Sequence, residues 1–169
     1  MLLNLETIPH FYKNYVKQIE ESDLLQALRI SGHRTQELIH AIPEVKSDFK
    51  YAPEKWTVRE VLCHMIDAER IFAYRALRFA RNDKTPLAGF EEKDYAPEAN
   101  AANRSVKRIA DEMRHLRVST IDMFESFSEE MMHRKGEANR NELSVAAIGF
   151  IIAGHETHHR HILIDRYLK

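Results

Sequence analysis

A chain of 169 residues with 44% hydrophobic and 30% charged side chains has the size and composition of one globular domain, residues 1–169. Its net charge of −1 leaves no basic excess for nucleic acid, and no apolar run of about eighteen residues is present to span a membrane. The lone Cys63 forms no intramolecular disulfide and the first residues lack a signal-peptide pattern, so a cytoplasmic protein is expected.

Only five Gly and five Pro interrupt the chain, which favours a few long elements over many short strands. Residues 11–20 form either a short helix of their own or an early part of the next one. Residues 23–41 carry Leu24, Leu25, Leu28, Leu38 and Ile39 at helical spacing. Pro43 and Pro53 bracket an extended connector. Thr57 followed by Glu60 is a capping box that opens a second helix, with Val58, Val61, Leu62, Met65, Ala68, Ile71, Phe72 and Phe79, ending near residue 82. Trp56, just before the cap, reads as a hydrophobic staple.

Residues 83–104, with Pro86, Gly89 and Pro97, make a long irregular loop. Phe90 and Tyr95 there either rim a pocket or anchor the loop. The third helix spans residues 105–127 through Val106, Ile109, Met113, Leu116 and Ile121, and polar residues 136–141 break the pattern. The fourth begins near Ser144 and runs to the end through Val145, Ile148, Ile151, Ile152, Ile162 and Leu163. Four helices of this length predict an all-α four-helix bundle.

Ten histidines are many for this length, and three fall within residues 155–159. His155 and His159 are four apart, about 40° on a helical wheel, and Ile148, Ile151, Ile152 and Ile162 lie within about 60° of them. The pair therefore faces the bundle interior, where two bare imidazoles need partners. A shared metal ion meets that need; hydrogen bonds to core groups are the other possibility. The letters also match His-Glu-x-x-His, with Glu156 in the base position. Too little chain follows for a zinc protease's downstream ligand, so that reading is set aside.

The third ligand then comes from another helix. His64 shares its face with Val61, Ala68, Ile71 and Phe72 and is the best candidate, whereas His10, His33, His40, His115 and His133 lack such surroundings. His158 and His161 turn toward solvent or a neighbouring subunit. Three imidazoles leave a coordination position open, the arrangement of a catalytic ion. Asp67 is placed to orient His64 from behind, or else is a solvated surface group. Arg75 and Arg78, on the same face as His64, either bind an anionic substrate or a thiol's carboxylate, or pair with acids of a neighbouring element. Cys63 should be an inert buried thiol.

The segments 51–64, 66–81, 85–95 and 152–159 resemble, in residues and in order, the DinB/YfiT-like superfamily of bacterial four-helix-bundle proteins. The resemblance implies an up-down-down-up bundle with residues 83–104 as the crossover between the second and third helices. It implies a zinc or nickel ion on His64, His155 and His159, frequent homodimers, and hydrolase or thiol-transferase chemistry using bacillithiol or mycothiol. Three readings of function follow. One is an enzyme acting on a small molecule, with Glu156 or a water as base; another is a non-catalytic metal or ligand binder; the last is a structural helical dimer without an ion.

Overall fold

The four long helices start where a short polar side chain caps them. Asp23, Thr57, Ser105 and Ser144 each accept a hydrogen bond from the amide three residues on. At Thr57 the box is complete, because Glu60 accepts from the Thr57 amide in return. The computed structural model describes residues 1–2 and 4–169. In chain order its helices are α1 (His10–Val16), α2 (Leu24–Ala41), α3 (Val58–Ala80), α4 (Glu92–Glu98), α5 (Val106–Glu125) and α6 (Glu129–His133). A hairpin of β1 (Lys135–Ala138) and β2 (Asn141–Ser144) then leads into α7 (Val145–Ile162), which ends in a widened turn, Leu163–Tyr167.

Side-chain pairs fix the topology. Arg29 pairs with Glu125, and Gln36 donates to the Ala110 carbonyl, so α2 and α5 run antiparallel. Arg104, just before α5, donates to Cys63 near the start of α3, and Arg117 donates to Glu69 further along both helices, so α3 and α5 run parallel. His64 meets His155, while Arg160 donates to the Ser31 carbonyl, which brings α7 onto both α3 and α2. The result is the up-down-down-up four-helix bundle expected of the sequence. Parallel neighbours need a long crossover, and residues 81–105 supply it.

That crossover is more ordered than its composition suggests. It contains α4 and a short 3-10 turn, Ala101–Asn103, and Leu87 exchanges backbone hydrogen bonds with Glu137 and Asn139. The polar break at 136–141 is itself the hairpin, closed by Asn139 and Arg140 with φ of 49° and 60°. Two successive left-handed residues give the twist that a two-residue hairpin loop needs. The short N-terminal helix proves separate from α2.

Each long helix passes from one apolar cluster to another. Leu28, Phe72, Ile121 and Ile152 belong to the first; Ile39, Met65, Met113 and Leu163 to the second. Between them every helix contributes polar side chains: Ser31 and Thr35, His64 and Glu69, Arg117, and His155, Glu156 and Arg160. Among the described residues no helix is long and apolar enough to cross a membrane.

Candidate metal centre

His64, near the start of α3, faces His155 and His159 on antiparallel α7. The Nε2 atoms of His64 and His155 are 3.1 Å apart, as are those of His155 and His159. One ligand nitrogen from each of the three rings can be chosen so that all lie within 4.8 Å of one another. Nitrogens bound to one ion at about 2.0–2.1 Å sit roughly 2.9–3.4 Å apart, so the trio has the spacing of a coordination set. Burial pulls the His64 pKa down to about 4 and those of His155 and His159 well below the usual imidazole range. All three rings are therefore neutral near pH 7, with lone pairs free to bind.

Hydrogen bonds alone serve this arrangement badly. A neutral imidazole carries one N–H, so His155 Nε2 cannot both donate to one neighbour and accept from the other with good geometry. Nδ1 of His159 is buried with no hydrogen-bond partner. An ion with affinity for nitrogen takes all three lone pairs at once, and the absence of carboxylates from the set suits a borderline transition metal. The donors fit such an ion.

The histidines form one wall of a cavity of about 160 Å³. Trp56 tilts over His64 with ring centres 4.9 Å apart, and Tyr15 stands edge-on to His155 at 5.4 Å. Phe11 and Tyr12 come from α1, Ala68, Phe72 and Arg75 from α3, Phe90 and Glu92 from the crossover, and Asn139 from the hairpin turn. Gly154 explains how α1 reaches the site. A Cβ there would lie 2.7 Å from the Tyr15 carbonyl group, so only glycine lets the α1 backbone cross α7 one residue before His155.

The family model of the DinB superfamily matches residues 27–163. This chain belongs to the DinB superfamily. Among solved structures it is similar to YfiT from Bacillus subtilis, described as a probable metal-dependent hydrolase with an unusual four-helix bundle topology. That similarity has a TM-score of 0.75 at 14% identity and covers 84% of this chain and 82% of YfiT. No curated protein matches the chain.

The other residues expected at this DinB site divide sharply. Glu156 turns away from the cavity. Its carboxylate accepts from Arg117 Nη1 at 2.7 Å, and it is 4% exposed. Burial raises its pKa, against the pull of Arg117. The base role expected of Glu156 does not fit this position, since its carboxylate is bound within the bundle.

Asp67 is also displaced from its expected role. It lies in an outer groove with Ile71 and Tyr95, 4.0 Å from Arg70, and makes no hydrogen bond to His64. Arg75 lines the cavity; Arg78 instead bonds Asp83 and Tyr74 at the surface. Phe90 reaches the cavity and Tyr95 does not. Trp56 packs tilted against His64 rather than acting only as a staple. His10, His33, His40, His115 and His133 are all exposed, and His158 and His161 bond Gln18. Cys63 is buried beside Arg104, with its thiol pKa raised by burial.

Sequence reasoning missed Arg117 and Glu69. Arg117 Nε and Nη2 donate to both Glu69 oxygens at 2.9 and 2.8 Å, while Nη1 also reaches Ser31 and the Leu28 carbonyl. The signal was present. Arg117 lies four residues from both Met113 and Ile121, in the middle of the apolar stripe of α5.

Proposed function

We propose that the chain is a metal-dependent enzyme acting on a small molecule, with one divalent ion, zinc or nickel, on His64, His155 and His159. The convergence of three neutral imidazoles, two buried and one partly buried, with His155 Nε2 3.1 Å from those of both His64 and His159, carries this reading. Such an ion would supply Lewis acidity for hydrolysis by water or for activating a low-molecular-weight thiol. Membership of the DinB superfamily and the description of YfiT both support metal-dependent hydrolysis.

The chain's own groups favour chemistry shielded from bulk water. Trp56 and Tyr15 flank the imidazoles, and Phe72 and Phe90 carry the apolar wall outward. A cavity of about 160 Å³ is below the size of a drug-like pocket, which favours a small substrate over a polymer. A homodimer, the association state common in the superfamily, belongs to the same reading.

Metal analysis of protein purified without an affinity tag tests the proposal. Close to one ion per chain is expected, and less than about 0.1 after reconstitution would overturn it. Hydrolysis and thiol transfer are then separated by incubating loaded protein with bacillithiol or mycothiol and a chlorinated aromatic, against a panel of esters and amides. A second reading, a non-catalytic metal or ligand binder, is favoured by the engagement of Glu156 with Arg117, which removes the obvious base. It gains if the loaded protein turns over none of these compounds.

A further inference from the structure

Arg75 is 3% exposed, lines the cavity and has no carboxylate within ion-pair distance among the described residues. Its Nη2 donates to the Ala88 carbonyl at 2.9 Å, and the Tyr12 hydroxyl lies nearby. Phe72 and Phe90 lie on its flanks, their centroids 5.4 and 5.9 Å from the guanidinium carbon. Neutral oxygens and ring faces leave its positive charge uncompensated. Among the described residues, the only carboxylate on the cavity wall, Glu92, is itself exposed.

The buried guanidinium of Arg117, by contrast, is matched in full. Arg117 takes two carboxylates. A buried arginine without such a partner, aimed into a pocket that also holds a reactive centre, is arranged for an anion that arrives with the ligand.

We propose that Arg75 is the anchor for the carboxylate of a small, elongated acid whose other end reaches His64, His155 and His159. The inference rests on the metal-site reading only for that orientation. His64 and Arg75 are three helical turns apart, roughly 16 Å of axis, and the arginine side chain leans back toward the helix start. The ligand therefore spans several bonds between its acid group and its reacting atom. Phe72, Phe90 and Tyr12 line that span, so its middle is apolar, unsaturated or aromatic. One guanidinium in apolar walls matches one planar monoanion; a phosphate dianion would bring a second charge with no partner.

The test uses 4-phenylbutyrate, its neutral amide and the matching phosphonate, titrated into the full-length protein by calorimetry or ligand-observed NMR. The wild type should bind the acid at least about tenfold more tightly than the amide, and Arg75→Gln should erase that preference. Arg78→Gln, outside the cavity, should leave it intact. Equal binding of acid and amide by the wild type overturns the proposal without reference to any variant. A preference that survives in Arg75→Gln overturns it too, as does tighter binding of the phosphonate. A carboxylate captured by the ion would ignore Arg75, so the variant excludes that route. Metal content measured on the same samples separates the two readings, because an ion-free wild type would sink the metal site while leaving the acid preference to stand or fall by itself.

Discussion

Two buried polar clusters share helix α7 back to back, and they solve the burial problem in opposite ways. His155 and His159 look into the cavity with His64; Glu156, one residue on, looks into the bundle with Arg117 and Glu69. In the second cluster every strong need is met. Arg117 donates to two carboxylates, a hydroxyl and a carbonyl, and although burial alone would lower its pKa, the two carboxylates outweigh that and keep it charged. In the first, three neutral rings crowd one point and one ring nitrogen has no partner. A completed network holds helices together; an incomplete one facing a cavity waits for a ligand.

The largest expected effect comes from breaking the completed cluster. Arg117→Ala leaves two carboxylates buried without a cation, which should cost about 3–5 kcal/mol in chemical denaturation. A loss below about 1 kcal/mol would mean that water already serves those carboxylates. Next comes acid. A histidine with a folded pKa near 4 binds fewer protons than the unfolded chain between about pH 6.5 and 4, so metal-free stability falls as pH drops through that window. The melting temperature should drop by roughly 5–10 °C on account of His64, more than in His64→Gln. Equal pH slopes in the two proteins would refute the burial argument. Smaller again is Gly154→Ala. Its methyl meets the Tyr15 backbone at 2.7 Å, so α1 must shift, costing about 1–3 kcal/mol and loosening any ligand in the cavity.

How much of this was legible in sequence depends on the range of the interaction. The bundle, the capping box at Thr57 and the inward histidine faces are local properties, and periodicity reveals them. The pairing of Glu156 is not local. A wheel sets it about 100° from His155, but only the packed bundle shows that Arg117 lies opposite. Arg75 and Arg78 look alike on the wheel, and their fates diverge because Asp83 and Tyr74 capture one while the crossover closes over the other. The hairpin was hidden by two short, mostly polar strands joined through Asn139–Arg140 rather than an Asn-Gly pair. The approach of α1 turns on Gly154, whose spacing on an apolar helix gives no hint of a crossing.

The smallest effect on stability is expected where the effect on binding is greatest. His155→Ala removes a ring whose Nε2 faces two neighbours that cannot both be satisfied, and it opens onto an existing cavity. Metal-free protein should therefore melt within about 2 °C of the wild type, since lost packing is offset by relief of a poorly bonded polar group. Adding zinc or nickel should separate the two proteins. Binding to the folded state alone stabilises it by about 4 kcal/mol at a thousandfold excess over Kd, so the wild-type melting temperature should rise by roughly 10 °C. His155→Ala should not respond, with two imidazoles too few to hold the ion. A metal-free variant that melts as low as Arg117→Ala would place the histidines among the structural contacts, and the contrast between the clusters would be lost.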